Sequence, residues 1–213
     1  MRGYRICLIR HGMTEANEKG IYIGSTDLPL SEKGANELLL KKDSMDYPYV
    51  DRVYTSPLRR CTGTADILYP YSDTVVVDEL RELNMGIFEN KSYAELMQRD
   101  DYKAWLKGGR DSRPPEGESL EEMTARTFKA MHSIINDMMH CELGRCAIVT
   151  HAGIISNLLV GFGLPKYDPK YLQSAPGEGF EIMVNTQMWL NSQAFEILGY
   201  CPYPKREEDE DEE

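Results

Sequence analysis

Residues 4–14 read Tyr4-Arg5-Ile6-Cys7-Leu8-Ile9-Arg10-His11-Gly12-Met13-Thr14. The first six residues form a mostly apolar run of strand length, which ends in an arginine, a histidine and a glycine. Ligands of open α/β sheets bind at the end where such strands leave the sheet. Gly12 lets the backbone approach a ligand closely, and the planar guanidinium of Arg10 can hold a carboxylate or phosphate. The stretch predicts a strand followed by an anion site with a nucleophile, although an ordinary strand end with a surface histidine fits these residues alone equally well.

The overall composition is that of an ordinary globular protein. The chain has 213 residues, of which 41% are hydrophobic and 28% charged, so it can bury a sizeable core and is not expected to be disordered or fibrous. We expect a single domain over residues 1–204. No apolar run approaches the roughly 20 residues of a membrane span, and no signal-peptide pattern precedes the first strand. These features predict a cytoplasmic protein that does not bind a membrane.

Charge and cysteine content disfavour several further classes of function. Five cysteines without a CxxC pair argue against both a disulfide framework and a thiolate zinc site. The formal net charge is −11, and residues 207–213 are all acidic, which predicts a solvated, disordered tail over residues 205–213. The chain lacks the basic stripe that nucleic acid requires. A small molecule is therefore the expected partner, and the sequence does not indicate an oligomeric state.

Strand-like and helix-like segments alternate along the chain. Ser31 and Ser119 are predicted N-caps, and Ser56-Pro57 is interpreted as another helix start, with serine as N-cap and proline in the first turn. The predicted strands cover residues 4–9, 52–55, 74–78 and 146–150, and the predicted helices or helical fragments cover 31–42, 56–68, 92–106, 119–139 and 154–161. Residues 180–184 and 188–198 are expected to add antiparallel edge strands. This alternation predicts an α/β fold, a three-layer α/β/α sandwich with a mostly parallel central sheet.

Chemically active side chains follow the other predicted strands as well. His151 comes directly after the fourth strand and precedes a helix N-terminus, whose free N–H groups favour an anion. Arg59 and Arg60 lie in the first helical turn after the second strand, where cations oppose the helix dipole unless an anion compensates. The third strand leads into a loop with three carboxylates, Glu79, Glu82 and Glu89. Several predicted strands therefore end in charged or imidazole side chains, and these are the groups that an anion site requires.

Together these residues resemble the histidine phosphatase superfamily, also called the phosphoglycerate mutase-like family. Any one motif is weak, but several in the same order and spacing are difficult to produce by chance. The matching segments extend over nearly the whole chain to Pro204 and are Arg10-His11-Gly12-Met13-Thr14, Asn17 with Gly24, Asp27-Leu28-Pro29-Leu30-Ser31-Glu32-Lys33-Gly34, Ser56-Pro57-Leu58-Arg59-Arg60 with Thr64-Ala65, Leu80-Arg81-Glu82 with Gly86, Pro115 with Gly117-Glu118-Ser119, and Val149-Thr150-His151-Ala152-Gly153. The resemblance implies the phosphoglycerate mutase-like form of the α/β/α sandwich.

The resemblance also implies how a phosphate monoester is bound and attacked. Neutral His11 corresponds to the family's nucleophile and would attack phosphorus to give a phosphohistidine. Fixed donors around the phosphoryl group would supply most of the catalysis. The implied phosphate-binding residues are Arg10, Asn17, Arg60 and His151, of which His151 is also catalytic and is expected to act mainly as a charged hydrogen-bond donor.

Two further assignments follow from the same resemblance. Glu82, rather than Glu79 or Glu89, would protonate the leaving oxygen and later deprotonate the attacking water, which requires a raised pKa. Residues expected to contact the rest of the substrate are Thr14, Ile23 and Gly24. Neither a metal nor another cofactor is expected, so the implied activity is that of a metal-independent phosphomonoesterase of the histidine acid phosphatase type.

The main alternative is a cofactor-dependent phosphoglycerate mutase, which would use 2,3-bisphosphoglycerate. Mutases of the family usually have a tyrosine at the position that Met85 occupies here. They also have two adjacent arginines, whereas Arg110 and Arg113 are separated in this chain. After the second histidine they have Gly-Asn, whereas this chain has Ala152-Gly153. These differences favour a phosphatase, and the chain resembles broad-specificity and α-ribazole phosphatases in particular.

The physiological ester stays open, because the chain departs from the common family pattern at Met13, Asn90 and Ser156 and specificity depends on such contacts. A small phosphorylated metabolite is expected. A third alternative is a non-catalytic module that binds phosphorylated ligands. It is disfavoured because His11 and Glu82 are both present.

Overall fold

The computed structural model describes residues 3–205. The acidic tail predicted for residues 205–213 lies outside the described residues apart from Lys205. The helices are α1 (Glu15–Glu18), α2 (Glu32–Ser44), α3 (Arg59–Leu68), α4 (Tyr93–Leu96), α5 (Asp100–Lys107), α6 (Leu120–His140), α7 (Ala152–Phe162) and α8 (Thr186–Ser192). The strands are β1 (Gly3–Arg10), β2 (Ile21–Tyr22), β3 (Met45–Asp46), β4 (Arg52–Thr55), β5 (Thr74–Val76), β6 (Lys91–Ser92), β7 (Arg145–Thr150), β8 (Gly163–Leu164), β9 (Gly179–Asn185), β10 (Phe195–Cys201) and β11 (Tyr203–Pro204).

A seven-stranded sheet in the order β5-β4-β7-β1-β9-β10-β8 forms the centre of the fold. Neighbouring strands are parallel from β5 to β1 and again between β10 and β8, whereas β9 is antiparallel to both β1 and β10. Two small strand pairs, β11 with β3 and β2 with β6, lie apart from it. The predicted mostly parallel central sheet is confirmed.

Helices cover both faces of this sheet, because β1 buries side chains in both directions. Ile6 and Leu8 belong to a core built with α6 and α7, whereas Cys7 and Ile9 belong to a second core built with α2 and α3. A strand buried on both faces has an apolar sequence without alternation, as β1 has. Burying each large aliphatic side chain contributes about 1.5–3 kcal/mol. The three-layer sandwich expected from the sequence is confirmed.

Helix starts show where local sequence decides the structure and where it does not. Ser31 and Ser119 cap α2 and α6 as predicted, and Ser119 forms a capping box with Glu122. The predicted start at Ser56-Pro57 is wrong, because α3 begins at Arg59. The hydroxyl of Ser56 lies 2.9 Å from His151 Nε2. A carboxylate from a distant loop replaces the missing cap: the Arg59 backbone N–H donates to Asp27 Oδ1 at 2.7 Å.

The carboxyl-terminal part of the chain also differs from the expectation. The segment expected at 180–184 forms part of β9, which lies between β1 and β10 and is not an edge strand. Residues 188–198 do not form one strand, since α8 occupies Thr186–Ser192 and β10 begins at Phe195. Asn185 caps α8 through its side chain, and the buried Trp189 stacks on Phe128 of α6 with ring centroids 5.4 Å apart. Tertiary packing of the indole overrides the strand propensity of this segment.

The carboxyl ends of β1, β4, β5 and β7 meet at one edge of the sheet. Arg10 lies beside Thr150, and Thr55 beside Val149, so the residues that follow these strands are neighbours. This register brings His11, Ser56 and His151 together, although they are far apart in sequence. Among residues 3–205, no helix has the length and apolar character needed to cross a bilayer.

Candidate active site

Two histidines lie side by side at this edge because β1 and β7 are in register. The His11 backbone N–H donates to the carbonyl oxygen of Thr150 at 2.9 Å. The two imidazole centroids are 5.2 Å apart, with an angle of 64° between the ring planes. His11 is 6% exposed and His151 is fully buried. Both predicted histidines therefore belong to the same site.

The hydrogen bond of His11 determines which ring nitrogen is available. Its Nδ1 lies 2.6 Å from the carbonyl oxygen of Gly12, and because a carbonyl only accepts, Nδ1 carries the proton and Nε2 the lone pair. Burial and then the positive charge of Arg60 lower the pKa of His11 to about 3, against the opposing hydrogen bond to Gly12. His11 is therefore neutral at physiological pH, with an unprotonated Nε2.

Arg10 and Arg60 supply the positive charge of the site. Arg60 is 1% exposed, and it donates to the carbonyl oxygens of Thr26 at 2.8 Å and Gly24 at 2.7 Å. Arg10 donates to the carbonyl oxygen of Ser174 at 2.8 Å. Within residues 3–205, the buried Nε of each arginine lacks a hydrogen-bond partner. Since neutral carbonyls do not cancel their charges and donors are left over, the two guanidinium groups are suited to bind an anion.

Glu82 reaches the site from the loop after β5. Its carboxylate accepts the Leu83 N–H at 2.9 Å and the Gly153 N–H, in the first turn of α7, at 3.2 Å. Burial raises the pKa of Glu82 above its ordinary value, although these hydrogen bonds and the charge of Arg60 oppose the shift. A β-carbon at position 153 would lie 2.6 Å from Glu82 Oε1, so any other residue there would displace the carboxylate. A carboxyl group with a raised pKa can act as a general acid.

The other two candidate carboxylates have structural partners. Glu89 accepts the N–H groups of Ser25 and Thr26, each at 2.7 Å. Burial alone would raise the pKa of Glu89, but its hydrogen bonds with Thr26 and Ser25 outweigh that effect and lower it. Glu79 lies 3.7 Å from Lys129 in an ion pair. Of the three, only Glu82 lines the cavity that contains His11.

Arg126 on α6 fixes the loop that carries Glu82, and sequence reasoning did not identify it. Its guanidinium donates to the backbone carbonyls of Glu79, Arg81 and Glu82 at 2.6, 2.7 and 3.1 Å. The same side chain forms an ion pair with Glu118, which is part of the Pro115-x-Gly-Glu-Ser turn. That turn was the one sequence signal that could have indicated the contact.

His151 has different partners from His11. Its Nε2 lies 2.9 Å from the hydroxyl oxygen of Ser56 and 3.5 Å from Cys61 Sγ. Burial, followed by the effects of His11 and Arg60, lowers the pKa of His151 well below 6.5. The surroundings that the chain itself supplies therefore disfavour the charged form of His151, and the charged donor expected from the resemblance stays a prediction for the phosphate-bound state. A phosphate dianion would favour the charged form, but the protein without it favours neutral imidazole.

The remaining predicted site residues separate into two groups. Asn17 and Ile23 line the cavity. Asn17 accepts the Thr14 N–H through Oδ1 at 3.1 Å, which leaves its Nδ2 as a donor. Thr14 is fully buried and caps α1. Gly24 holds Arg60 through its carbonyl, and a β-carbon there would lie 1.9 Å from the Leu83 carbonyl oxygen. The structure thus places Thr14 and Gly24 behind the cavity wall, where they position its lining.

The cavity above His11 has a volume of about 600 Å³. Besides the predicted site residues, its lining includes Met13 and Ala152, which belong to the two histidine motifs. The lining also includes residues for which the sequence offered no motif: Gly20, Ile21, Tyr22, Tyr93 and Pro176. Within residues 3–205, no group of three or more histidine, cysteine, aspartate or glutamate side chains is placed to hold a metal ion.

Known proteins resemble this chain in sequence over most of its length. The sequence profile of the histidine phosphatase superfamily (branch 1) matches residues 6–178. The adenosylcobalamin/alpha-ribazole phosphatase of Salmonella typhimurium is 31% identical over 159 residues, which are 73% of this chain and 77% of that protein. The probable phosphoglycerate mutase GpmB of Cronobacter sakazakii is 29% identical over 175 residues, 79% of this chain and 80% of that protein.

Solved structures show the same fold. The crystal structure of a putative alpha-ribazole-5'-P phosphatase from Escherichia coli aligns with a TM-score of 0.78 at 22% identity, and the alignment covers 95% of this chain and 97% of that one. The family profile extends over most of the chain, and its range contains both histidines, both arginines and Glu82. The protein is therefore an enzyme of the histidine phosphatase superfamily, branch 1.

Proposed function

We propose that the protein is a phosphomonoester hydrolase of the histidine acid phosphatase type that forms a phosphohistidine on His11. The observation that supports this most strongly is the 2.6 Å contact between His11 Nδ1 and the Gly12 carbonyl oxygen. It fixes the tautomer with a lone pair on Nε2, at a cavity that Arg10 and the buried Arg60 also line. The phosphate ester would place its phosphorus in line with that lone pair, and its oxygens on Arg10, Arg60, His151 and Asn17.

In the first step, the lone pair of His11 Nε2 forms the bond to phosphorus while the bond from phosphorus to the leaving oxygen breaks. Protonated Glu82 gives its proton to that oxygen, so the product leaves as a neutral alcohol. The phosphorylated imidazole keeps its Nδ1 proton and gains positive charge, which the Gly12 carbonyl stabilises. The arginines bind the phosphoryl oxygens throughout, which is the main contribution expected for a largely dissociative transition state.

In the second step, the Glu82 carboxylate takes a proton from water as the water oxygen attacks phosphorus. The bond from Nε2 to phosphorus breaks, and its electron pair returns to the imidazole. Inorganic phosphate leaves, and Glu82 is again protonated. Each residue thus returns to its starting state, and the sum of the two steps is hydrolysis of the ester.

Charge in the cavity supports hydrolysis over the mutase alternative. A mutase must bind 2,3-bisphosphoglycerate, which carries a carboxylate and a second phosphate besides the transferred group. Among the described residues that line the cavity, the cations are Arg10 and Arg60, and the transferred phosphoryl group would engage both. The same two charges also support metal-independent chemistry, because they take the place that a metal cation has in other phosphoryl-transfer sites.

The direct test is phosphate release from a panel of phosphomonoesters in EDTA, beside a His11→Ala control. We expect release by the wild-type protein and none above background by the variant. Isomerisation of 3-phosphoglycerate that depends on 2,3-bisphosphoglycerate, with little release, would instead establish the mutase. Binding of phosphate esters without turnover would support the non-catalytic module, and release that requires an added divalent metal would contradict the metal-independent mechanism.

A further inference from the structure

Apart from the predicted phosphate-binding and catalytic residues, the lining of the cavity is mostly apolar and aromatic. It includes Met13, Ile21, Tyr22, Ile23, Tyr93 and Pro176. The phosphoryl group must lie against His11, so the alcohol part of the substrate faces this lining. Apolar walls with few polar groups favour apolar ligand surface. The structure therefore contains information about the leaving group as well as about the phosphate.

The charged side chains that line the cavity all belong to the predicted phosphate-binding and catalytic residues. Among the described residues that line it, Arg10, Arg60 and Glu82 are the charged ones. Lys91 lies near the tyrosines in the fold, but its ammonium donates to the carbonyl oxygen of Ile87 at 2.6 Å. An anionic group on the alcohol part would lose hydration without gaining a cation, which is unfavourable. The cavity is therefore suited to a leaving group without charge.

Tyr22 and Tyr93 are brought to the cavity by a small pair of strands. Tyr22 of β2 lies opposite Lys91 of β6, and Tyr93 follows β6 as the first residue of α4. Ser92 and Glu95 form a capping box that fixes the start of α4. The tyrosines are 39% and 54% exposed, so both retain accessible ring surface. Tyr22 lies on a strand that pairs with β6, and Tyr93 lies in the first turn of the capped α4, so the backbone at both positions is fixed at the cavity before binding.

We propose that the preferred substrates are monoesters whose leaving alcohol is uncharged and carries an aromatic ring, which packs on Tyr22 and Tyr93. This inference rests on the proposed hydrolase function. Aromatic rings gain more from contact with tyrosine than aliphatic groups of similar area, through offset or edge-to-face arrangements. Tyr22 and Tyr93 are thus specificity residues, whereas Arg10 and Arg60 bind the part that all phosphomonoesters share.

The test compares three esters of primary alcohols: benzyl phosphate, butyl phosphate and 3-phosphoglycerate. We expect kcat/KM for benzyl phosphate to exceed that for 3-phosphoglycerate by at least about tenfold, and to exceed that for butyl phosphate by about threefold to tenfold. Tyr22→Ala and Tyr93→Ala should reduce the benzyl-to-butyl ratio, mainly through KM. Phenylalanine at either position should retain the ratio, because it keeps the ring.

Tyr71→Ala serves as the matched control, because Tyr71 is fully exposed and lies outside the cavity; its ratio should equal that of the wild type. Hydrolysis that depends on His11 but is equally efficient with all three esters, or fastest with 3-phosphoglycerate, would overturn the specificity inference and leave the hydrolase intact. A benzyl-to-butyl ratio unchanged in both alanine variants would also overturn it. No hydrolysis of any ester by folded protein would contradict the hydrolase itself.

Discussion

At the carboxyl ends of β1 and β7, a histidine follows a buried parallel strand. The two imidazoles nevertheless differ in the hydrogen bonds of their ring nitrogens. His11 donates its Nδ1 proton to the carbonyl of the next residue, Gly12, and keeps the lone pair on Nε2. His151 turns Nε2 toward the hydroxyl of Ser56 at 2.9 Å. The strand ends are equivalent, so the hydrogen-bond partner of each ring decides which one can attack.

Charge does not distinguish the two rings. Burial lowers the pKa of both, to about 3 for His11 and well below 6.5 for His151, and Arg60 acts in the same direction on each. Both imidazoles are therefore neutral in the protein. The tautomer and orientation of each ring must therefore decide that His11 is the nucleophile and His151 the donor. Substitutions at each position test this assignment.

The largest expected effect is that of His11→Ala. Removing the attacking nitrogen should lower kcat/KM by at least about 10⁴-fold, as for other essential nucleophiles. Steady-state phosphate release measures the loss, and a circular dichroism spectrum like that of the wild type confirms folding. Substantial residual turnover would mean that His11 is not the nucleophile and that the roles of His11 and His151 have been reversed.

Glu82→Gln should lower kcat/KM by about 10³-fold for an alkyl ester, because the leaving oxygen loses its proton donor. The loss should be smaller for 4-nitrophenyl phosphate, whose leaving group needs no proton. Since burial raises the pKa of Glu82, wild-type activity should fall as pH rises through that raised value, where the acid form is lost. His11 should limit activity only as pH approaches its pKa of about 3.

The control for this prediction is the pH profile of the glutamine variant. It should lack the alkaline decrease attributed to Glu82, while ionisation of the substrate itself affects both proteins equally. An identical alkaline decrease in the two proteins would assign that titration to another group. It would also remove the main support for Glu82 as the general acid.

His151→Ala should have an intermediate effect, a decrease in kcat of about 10²–10³-fold, as for the removal of one transition-state donor. In contrast to His11→Ala, this variant should still form a phosphoenzyme, only more slowly. Rapid-quench measurement of acid-labile phosphate on the protein provides the readout. Complete loss of phosphoenzyme, as severe as in His11→Ala, would erase the proposed difference between the rings.

Ser56→Ala should have the smallest effect, a decrease in kcat of about twofold to tenfold, which corresponds to one hydrogen bond. Ser56 acts through His151 and is a positioning residue, so the effect should vanish when His151 is already alanine. A double-mutant cycle measures this coupling. Independent, additive effects of the two substitutions would show that Ser56 acts on stability or binding without orienting the imidazole.

Much of this site could be predicted from the sequence, because its residues occur where strands end. The apolar run into Arg10-His11-Gly12 and the strand before His151 indicate buried parallel strands, whose carboxyl ends meet at one edge. The roles of the rings could not be predicted in the same way. They depend on the contact of Gly12 with one ring and of Ser56 with the other, and Ser56 carries local features that predict a helix cap.

Where the structure differs from the local sequence pattern, long-range contacts replace local ones. Asp27 caps α3 from a distant loop, and Ser56 Oγ contacts His151 while it also accepts the Leu58 N–H. Gly24 and Thr14 have the residue types of a ligand site, but they hold Arg60 and α1 in place. Tyr22 and Tyr93 show no motif at all, because their placement depends on the pairing of β2 with β6. The local sequence pattern therefore predicts which residue types form the candidate site, and tertiary contacts decide how they are arranged.

The most direct test of the central claim is to locate the covalent phosphate. Wild-type protein is quenched in alkali during turnover of benzyl phosphate, digested with trypsin under conditions that preserve phosphohistidine, and sequenced by mass spectrometry. We predict phosphate on the peptide that begins at His11, in the wild type and in His151→Ala, and none in His11→Ala. Phosphate on the peptide that contains His151, or active turnover with no phosphopeptide, would contradict the account.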